Sequence, residues 1–168
     1  MNISVLILTY NEERNLPASL ASVAWSDDIV VFDSFSTDQT VPIATAAGAR
    51  VIQRPFDNYA AQRNAALGVG FRHPWVLMLD ADEQVMPVLQ DEMMQAVATV
   101  AADTVLFRVR RKDLFFGHWL RRSSGYPTWF PRLMRPEKVR VERAINEEVV
   151  ANGNVLRLNQ HLIHNPFS

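Results

Sequence analysis

Residues 75–83, WVLMLDADE, place a run of five apolar side chains directly before three carboxylates. A run of this length suits a buried strand and is short for a helix. Asp80, Asp82 and Glu83 would then crowd together at the exit of a core strand, where carboxylates repel one another unless a cation or a proton intervenes. Carboxylate oxygens suit Mg²⁺ or Mn²⁺, which keep open positions for substrate phosphates. Alternatively, Asp82 and Glu83 only favour the N-terminus of the next helix, and both interpretations fit these residues taken alone.

Length and composition indicate one soluble domain. The chain has 168 residues, of which 48% are hydrophobic, and this is enough to bury a full core. It has no cysteine, which excludes disulfide frameworks, zinc fingers and thiol nucleophiles and fits a reducing compartment. No apolar run approaches the ~20 residues of a membrane-spanning helix, and the N-terminus predicts a strand rather than a signal peptide. We therefore expect a cytoplasmic protein that is soluble or peripheral to a membrane.

Charge is distributed unevenly along the chain, although the net charge is only −1. Between Arg108 and Arg143, eleven Lys or Arg residues stand against three Asp or Glu residues, and six aromatic residues lie among them. Such a segment is typical of a surface that faces phosphates, an anionic membrane or nucleic acid. The alternative is an ordinary solvated face with internal ion pairs.

The first hundred residues alternate short apolar runs with helical patterns. Strands are predicted at 3–8, 29–32, 51–52 and 75–79, and helices at 16–23, 41–47, 59–67 and 88–100. This alternation is typical of βαβ units, which build a parallel sheet with helices on both faces. After Asp103, strand-like pieces at 105–111, 129–134, 145–150 and 155–163 indicate mixed strands and long loops. We interpret the change as a division of a single domain, residues 1–168, into two functional halves, 1–103 and 104–168.

Polar residues follow three of the predicted strands. They are TYNEE at 9–13, DSFSTD at 33–38 and DADE at 80–83. Open parallel sheets bind ligands beyond the carboxyl ends of their strands, so these residues predict one shared site. Individually, Thr9 or Asn11 could instead cap the first helix, and Ser36 or Asp38 the second. No G-x-G-x-x-G follows an early strand and no P-loop sequence occurs, which leaves a metal-bridged diphosphate as the expected ligand.

Four segments in this order resemble successive motifs of the family 2 glycosyltransferases. They are SVLILTYNEE at 4–13, VFDSFSTDQT at 31–40, QRNAAL at 62–67 and LDADE at 79–83. The resemblance spans essentially the whole chain, including PRLMR at 131–135 and HLIH at 161–164. Within the family, the chain is similar to bacterial enzymes that add a sugar to lipopolysaccharide core or other cell-envelope glycans.

The resemblance implies a fold and an activity. The fold is GT-A, an α/β fold with a mostly parallel central sheet flanked by helices, here with a mixed-strand C-terminal half that binds the acceptor. The activity is a metal-dependent, inverting transfer of a sugar from a nucleotide-diphosphate donor, expected to be a UDP-sugar. The acceptor would be a glycan or lipid-linked glycan at the cytoplasmic face of the inner membrane, and no nucleic acid would be involved.

The resemblance also implies which residues bind the donor. Thr9, Tyr10, Asn11 and Glu12 stand at the first strand exit, which borders the nucleotide. Asp33 matches a carboxylate that recognises uracil or ribose, and Arg63 matches a basic residue that reaches the nucleotide. Asp80 and Asp82 match the D-x-D pair, so both are candidate ligands of Mg²⁺ or Mn²⁺. Asp80 is expected near the ribose and phosphate, and Asp82 as the direct ligand.

The reaction also needs a base that deprotonates the acceptor hydroxyl. Similar enzymes often carry a His-Glu pair in a late strand or loop, and the matching stretch here is AINEE at 144–148, with Asn146 in place of the histidine. Glu147 is therefore the first candidate and Glu148 the second. Adjacent strand residues point to opposite faces, so at most one should reach the site. Glu83 is a further candidate, although support of Asp82 is its favoured role, and Glu147 and Glu148 could also lie on a solvated edge strand.

The chain departs from the family pattern at further points. Phe35 stands where glycine is common. Similar enzymes often continue past a segment such as 164–168 into an amphipathic or membrane-binding tail, so we expect this chain to be a truncated form. His161 and His164 are three residues apart and would face opposite ways in a strand. We therefore expect no joint metal site from them, but one could contact the donor phosphates.

Other function classes stay open from the sequence. A nucleotidyltransferase would share the sheet and the metal, but its glycine-rich basic loop after the first strand is absent. A D-x-D-x-T phosphatase would need Thr or Val where Gln84 stands. A non-catalytic module that binds nucleotide-sugars or polyanions would have no use for repelling carboxylates, so their presence favours an enzyme.

Overall fold

The computed structural model describes residues 3–119, 128–143 and 148–165. The first half contains β1 (Ile3–Thr9), α1 (Leu16–Ser22), β2 (Ile29–Asp33), α2 (Thr40–Ala46), β3 (Arg50–Gln53), α3 (Tyr59–Leu67), β4 (Trp75–Asp80), β5 (Glu83–Gln84) and α4 (Pro87–Thr99). The second half contains β6 (Thr104–Phe115), β7 (His118–Trp119), β8 (Trp129–Met134), a 3₁₀ turn (Pro136–Lys138), β9 (Val139–Glu142), β10 (Glu148–Ala151) and β11 (Asn154–His164). All eight elements predicted for the first hundred residues are present.

Nine of the described strands form one sheet. Their order is β3-β2-β1-β4-β8-β6-β11-β5, with β7 paired to β6. The first four are parallel, as predicted from the βαβ pattern. Beyond them, β8 is antiparallel to β4 and β6, and β11 is parallel to β6. The strands β9 and β10 form a separate antiparallel pair. The second half is therefore mixed, as expected.

Alternate residues of the central strands pack on opposite faces of the sheet. On one face, Val5 of β1 belongs to a buried cluster with Leu20 of α1 and Leu89 of α4. On the other, Leu6 of β1 is buried in a cluster with Ala66 of α3. Each fully buried aliphatic side chain of this kind contributes roughly 1.5–3 kcal/mol. Helices thus cover both faces, and this packing fixes the position of the strand ends.

The end of β11 pairs with residues of the acidic turn that follows β4. Ile163 pairs with Gln84 and His164 with Glu83, and these two contacts define β5. The N–H of Asn165 donates to the carbonyl of Asp82 at 2.9 Å. The pairing brings a residue from the C-terminal end of the chain beside the D-x-D residues.

The helices are short. The longest in the described ranges, α4, has 13 residues. None of the helices described has both the length and the apolar character needed to cross a membrane.

Candidate active site

A cavity of about 760 Å³ opens at the carboxyl ends of β1, β2 and β4. Six of the residues predicted to bind the donor line it, namely Thr9, Tyr10, Glu12, Arg63, Asp80 and Asp82. The remaining wall residues are Leu8, Ser34, Phe56, Tyr59, Gln62, Ala81 and His164. The polar residues that follow the three strands therefore converge on one site, as the parallel sheet requires.

Two further residues predicted to bind the donor, Asn11 and Asp33, lie outside the cavity wall. Asp33 is fully buried and accepts hydrogen bonds from Thr9 Oγ1 at 2.7 Å and from the Ser36 N–H at 2.8 Å. Burial raises the pKa of Asp33, but the hydrogen bonds from Ser36 and Thr9 outweigh it and lower the pKa. Asn11 has a φ of 51°, and its side chain accepts from the Thr37 N–H at 2.8 Å. Both residues join the loops after β1 and β2, and their direct contact with a nucleotide stays a prediction.

Asp80 is held between two arginines. Its Oδ1 lies 3.1 Å from Arg63 Nη2, and its Oδ2 lies 3.4 Å from Arg132 Nη2. Burial would raise the pKa of Asp80, but the charges of Arg132 and Arg63 reverse this and hold the pKa below its ordinary value. Both carboxylate oxygens thus have cationic partners, which favours Asp82 over Asp80 as a direct metal ligand.

Beneath the turn, Glu83 and Arg132 form a buried bidentate ion pair. Arg132 Nε and Nη2 donate to the two carboxylate oxygens of Glu83 at 2.9 and 3.0 Å. Burial lowers the pKa of Arg132, but the charges of Glu83 and Asp80 outweigh this and raise the pKa above its ordinary value, so Arg132 stays protonated. Glu83 also accepts from the Asp80 N–H at 2.9 Å, so it supports Asp80 rather than Asp82. To act as a base, Glu83 would first have to lose a buried ion pair.

His164 lies between two carboxylates at the edge of the cavity. Its Nε2 is 2.9 Å from Asp82 Oδ2, and its Nδ1 is 2.8 Å from Asp113 Oδ1. Burial lowers the pKa of His164, but the hydrogen bond and the charge of Asp82 reverse this and raise it. Of the two histidines weighed from the sequence, His164 is therefore the one that reaches the site.

Asp82 and His164 are the side chains best placed to hold a divalent cation. Carboxylate oxygen suits both Mg²⁺ and Mn²⁺, and neutral imidazole nitrogen is a common metal ligand in proteins. Among the described residues, no group of three or more His, Cys, Asp or Glu could hold a metal ion. A cation here would thus take further ligands from water and donor phosphates, as is usual for Mg²⁺ bound by one or two carboxylates. The donor set fits such an ion.

The pKa of Glu12 is affected by the other carboxylates around the same cavity. Burial raises the pKa of Glu12, the hydrogen bond from Asn15 opposes this, and the nearby charges of Asp82 and Asp80 raise it again. The net shift is upward, chiefly because burial disfavours the charged form and also because the carboxylates around the cavity disfavour one more negative charge. A bound cation would relieve this repulsion.

The two predicted bases are placed differently. Glu147 lies outside the described residues. Glu148 begins β10 opposite Glu142, is exposed, and lies 3.8 Å from Arg143. It does not line the cavity as described. The assignment of the base therefore stays a prediction, with Glu147 ahead of Glu148.

The basic segment 108–143 divides between internal and outer positions. Arg111 lies 3.7 Å from buried Glu83, on the side of the site. The neighbouring Arg110 is on the other side of the strand and stacks on Trp129 at 5.4 Å. Residues 121–122 lie outside the described ranges. Arg111 therefore contributes its positive charge to the site itself, and only the remaining basic residues of the segment can face a partner.

The chain matches one known protein family. The model of that family, described as Glycosyl transferase family 2, matches residues 4–157 of the sequence. The chain belongs to glycosyltransferase family 2. This membership confirms the resemblance seen in the sequence and decides against the nucleotidyltransferase and phosphatase alternatives.

Relatives within family 2 include an enzyme of lipopolysaccharide synthesis. The lipopolysaccharide core biosynthesis glycosyltransferase LpsC of Rhizobium meliloti (strain 1021) is 29% identical over 160 residues, which cover 91% of this chain and 58% of LpsC. A glycosyltransferase of Rickettsia bellii (strain RML369-C) is 37% identical over 105 residues, or 62% of this chain and 35% of the relative. The matched regions thus span about a third to three fifths of these relatives.

Two solved structures share the fold. Residues 1–349 of S. aureus TarS in complex with UDP have a TM-score of 0.67 at 19% identity, over 98% of this chain and 60% of that TarS chain. Glucosyl-3-phosphoglycerate synthase from Mycobacterium tuberculosis, in complex with Mn²⁺, UDP and glucosyl-3-phosphoglycerate, has a TM-score of 0.56 at 23% identity, over 66% of this chain and 44% of the synthase. This likeness confirms the predicted GT-A fold.

Proposed function

We propose that this chain carries the donor site of a metal-dependent, inverting glycosyltransferase that moves a sugar from a UDP-sugar to a cell-envelope glycan such as lipopolysaccharide core. The observation that carries the proposal is the cavity in which Asp82, His164 and Arg63 meet at the carboxyl ends of the parallel strands. The UDP complexes of TarS and of the mycobacterial synthase support the donor class. The name of LpsC supports the acceptor class.

The cavity offers distinct partners to each part of such a donor. Tyr10, Phe56 and Tyr59 present half-exposed rings on which a base can stack, and the Phe56 and Tyr59 rings meet edge to face with centroids 5.0 Å apart. Arg63, which holds Asp80, can reach a phosphate. Asp82 and His164 would hold Mg²⁺ or Mn²⁺, whose charge stabilises the departing diphosphate.

The transfer step requires a base on the acceptor side. The acceptor hydroxyl oxygen attacks the anomeric carbon from the face opposite the diphosphate, and the carbon–oxygen bond to the diphosphate breaks with its electron pair leaving on the diphosphate. The configuration at the anomeric carbon therefore inverts. Glu147 takes the hydroxyl proton, with Glu148 as the second candidate. Glu83 is set aside because its two oxygens bond to Arg132.

The outer part of the basic segment would face the acceptor or the membrane that carries it. Arg110 on Trp129 gives this surface a cation beside an aromatic ring, a combination suited to a phosphorylated glycan or an anionic bilayer. We expect charge reversal at Arg121 and Arg122 to weaken binding to anionic liposomes or to phosphorylated acceptor while the affinity for UDP stays the same. If neither interaction changes, the segment is only a solvated face.

A transfer assay tests the proposal. The protein is incubated with Mn²⁺, a panel of UDP-sugars and delipidated lipopolysaccharide core, and the product is detected by its added sugar mass and by the anomeric coupling in NMR. We expect one donor to give a product of inverted configuration. Glu147→Gln keeps the shape of the side chain but cannot take the proton, and should lower kcat by about 10²–10⁴-fold. Transfer with retained configuration, or full activity of both Glu147→Gln and Glu148→Gln, would contradict the mechanism.

A further inference from the structure

A line of alternating charges runs from the buried Glu83 to the cavity residue Asp82. Arg111 lies 3.7 Å from Glu83 and donates from Nε to Asp113 Oδ1 at 3.0 Å. The same Oδ1 lies 2.8 Å from His164 Nδ1, and His164 Nε2 lies 2.9 Å from Asp82 Oδ2. Each carboxylate along the line thus contacts a cation or an imidazole.

The sheet itself sets the contact between Asp113 and His164. They are direct partners in the parallel pairing of β6 with β11, and His164 also pairs with Glu83 of β5. The side chains of Asp113 and His164 are only 19% and 18% exposed. The position of His164 is therefore set by backbone pairing with both β5 and β6, and its imidazole is held by the mostly buried carboxylate of Asp113.

This arrangement determines which ring nitrogen can bind a cation. A carboxylate accepts hydrogen bonds but does not donate them, so the contact with Asp113 places a proton on Nδ1 of His164. Nε2 faces the carboxylate of Asp82 in the same way, so it also carries a proton in the absence of a cation. A cation bound at Asp82 would displace this proton and leave a neutral imidazole with its lone pair on Nε2. Carboxylates that orient a histidine in this way also raise its basicity as a ligand.

We propose that Asp113 is a positioning residue that fixes the Nδ1–H tautomer of His164 and so presents Nε2 to a divalent cation shared with Asp82. The proposal rests on the proposed function, since it concerns the metal of that same site. Arg111 also contacts Asp113, from Nε to Oδ1 at 3.0 Å, and helps to hold it in place. A purely structural ion pair between Arg111 and Asp113 would affect stability but not the affinity for metal.

Titration of UDP into the protein, once with Mn²⁺ and once with EDTA, separates these roles. The ratio of the two affinities measures the metal contribution. Asp113→Ala should lower this ratio by about 10–100-fold and leave the affinity in EDTA unchanged. Asp113→Asn keeps an oxygen that accepts from Nδ1 and should retain most of the ratio. Asp103→Asn is the matched control, because Asp103 precedes the same strand and bonds only to Asn154 among the contacts described for its side chain.

The outcomes distinguish this inference from the proposed function. A ratio above one that is the same in wild type and Asp113→Ala overturns the role of Asp113 alone. A ratio of one in the wild type overturns the metal dependence and this inference together. Nitrogen-15 NMR of the wild-type protein with Zn²⁺ and UDP gives a second readout that needs no variant, because Zn²⁺ is diamagnetic and binds both carboxylate and imidazole. A proton on Nδ1 of His164 supports the inference, and a proton on Nε2 overturns it.

Discussion

Arg132 and Glu83 lie 49 positions apart in the sequence and form a bidentate ion pair, with donor–acceptor distances of 2.9 and 3.0 Å, beside the cavity residue Asp80. Arg132 comes from β8 and Glu83 from β5, so the pair joins the second half of the chain to the acidic turn. Glu83 is fully buried and Arg132 is 5% exposed. A charge in such a position is tolerated only while its partner is present.

Removal of one partner should therefore destabilise the protein. Arg132→Met is expected to lower the free energy of unfolding by about 3–5 kcal/mol, because it leaves the Glu83 carboxylate buried without its main partner. The double variant Arg132→Met with Glu83→Gln should recover much of this loss, since Gln can still accept from the Asp80 N–H. Urea unfolding measures both. Arg140→Met, which breaks an exposed pair with Glu142, is the control and should cost less than about 1 kcal/mol. Equal losses in the two single variants would contradict the argument.

Asp33 is expected to affect the donor site through its hydrogen bond with the cavity residue Thr9. Asp33→Ala leaves Thr9 Oγ1 and the Ser36 N–H without their acceptor, so we expect the free energy of unfolding to fall by about 1–3 kcal/mol. Because Thr9 lines the cavity, the KM for the donor should rise as well. Steady-state kinetics and thermal unfolding of the same preparation check the two effects. A loss of stability with unchanged kinetics would reduce Asp33 to a structural role.

Stability should depend on pH through Asp28, a buried carboxylate far from the cavity wall. Burial raises the pKa of Asp28, but hydrogen bonds from Ser4 Oγ and the Arg72 N–H, with the charge of Arg50, lower it overall. A lowered pKa in the folded state adds stability above the unfolded value of about 3.9, and this stability is lost as the pH falls through the folded value. Asp28→Asn should therefore cost about 1–3 kcal/mol at pH 7 and progressively less below about pH 4.

Unfolding at a series of pH values measures the Asp28 effect. The exposed Asp91 of α4 provides the control, since Asp91→Asn should change the free energy of unfolding little at any pH. The series should extend to pH 2.5, about 1.4 units below the unfolded pKa of about 3.9. A cost for Asp28→Asn that stays constant down to this pH would show that the charge of Asp28 does not matter.

Phe35 sits in a left-handed backbone conformation with a φ of 61°, which a bulky residue rarely adopts. Its side chain is 50% exposed, so little burial offsets the strain. Phe35→Gly and Phe35→Ala both remove the ring, but only glycine also removes the strain of the Cβ. We expect the glycine variant to be more stable than the alanine variant by about 1 kcal/mol. Thermal unfolding compares them, and an alanine variant at least as stable as the glycine variant would show that the loop is not strained.

The local part of the fold could be predicted from the sequence. β1 to β4 and α1 to α4 follow from apolar periodicity and from strand length, which are properties of neighbouring residues. The convergence of Thr9, Asp80 and the loop after β2 on one cavity follows from the rule for parallel sheets. These elements needed no knowledge of the distant half of the chain.

The rest depends on pairing between distant segments. β5 has two residues and is a strand only because β11 pairs with it, and β6 extends to Phe115, beyond the predicted end at 111, because β7 and β11 pair with its final residues. His164 and Asp82 are 82 positions apart, so their contact could not be predicted from spacing. One available signal was missed. Arg111 and Asp113 are charged residues at alternate positions of a strand, which indicates a charged pair on one face.

The central claim is that Asp82 binds a metal that in turn holds the donor diphosphate. The most direct test is calorimetric titration of UDP into wild type and Asp82→Asn, each with Mn²⁺ and with EDTA. Asp82→Asn keeps the size of the side chain and removes its charge, so the fold should survive. The account predicts that Mn²⁺ strengthens UDP binding to the wild type and that this gain is largely lost in Asp82→Asn, with equal affinities in EDTA. Equal UDP affinity of the wild type with Mn²⁺ and with EDTA, or a full Mn²⁺ effect in Asp82→Asn, would contradict it.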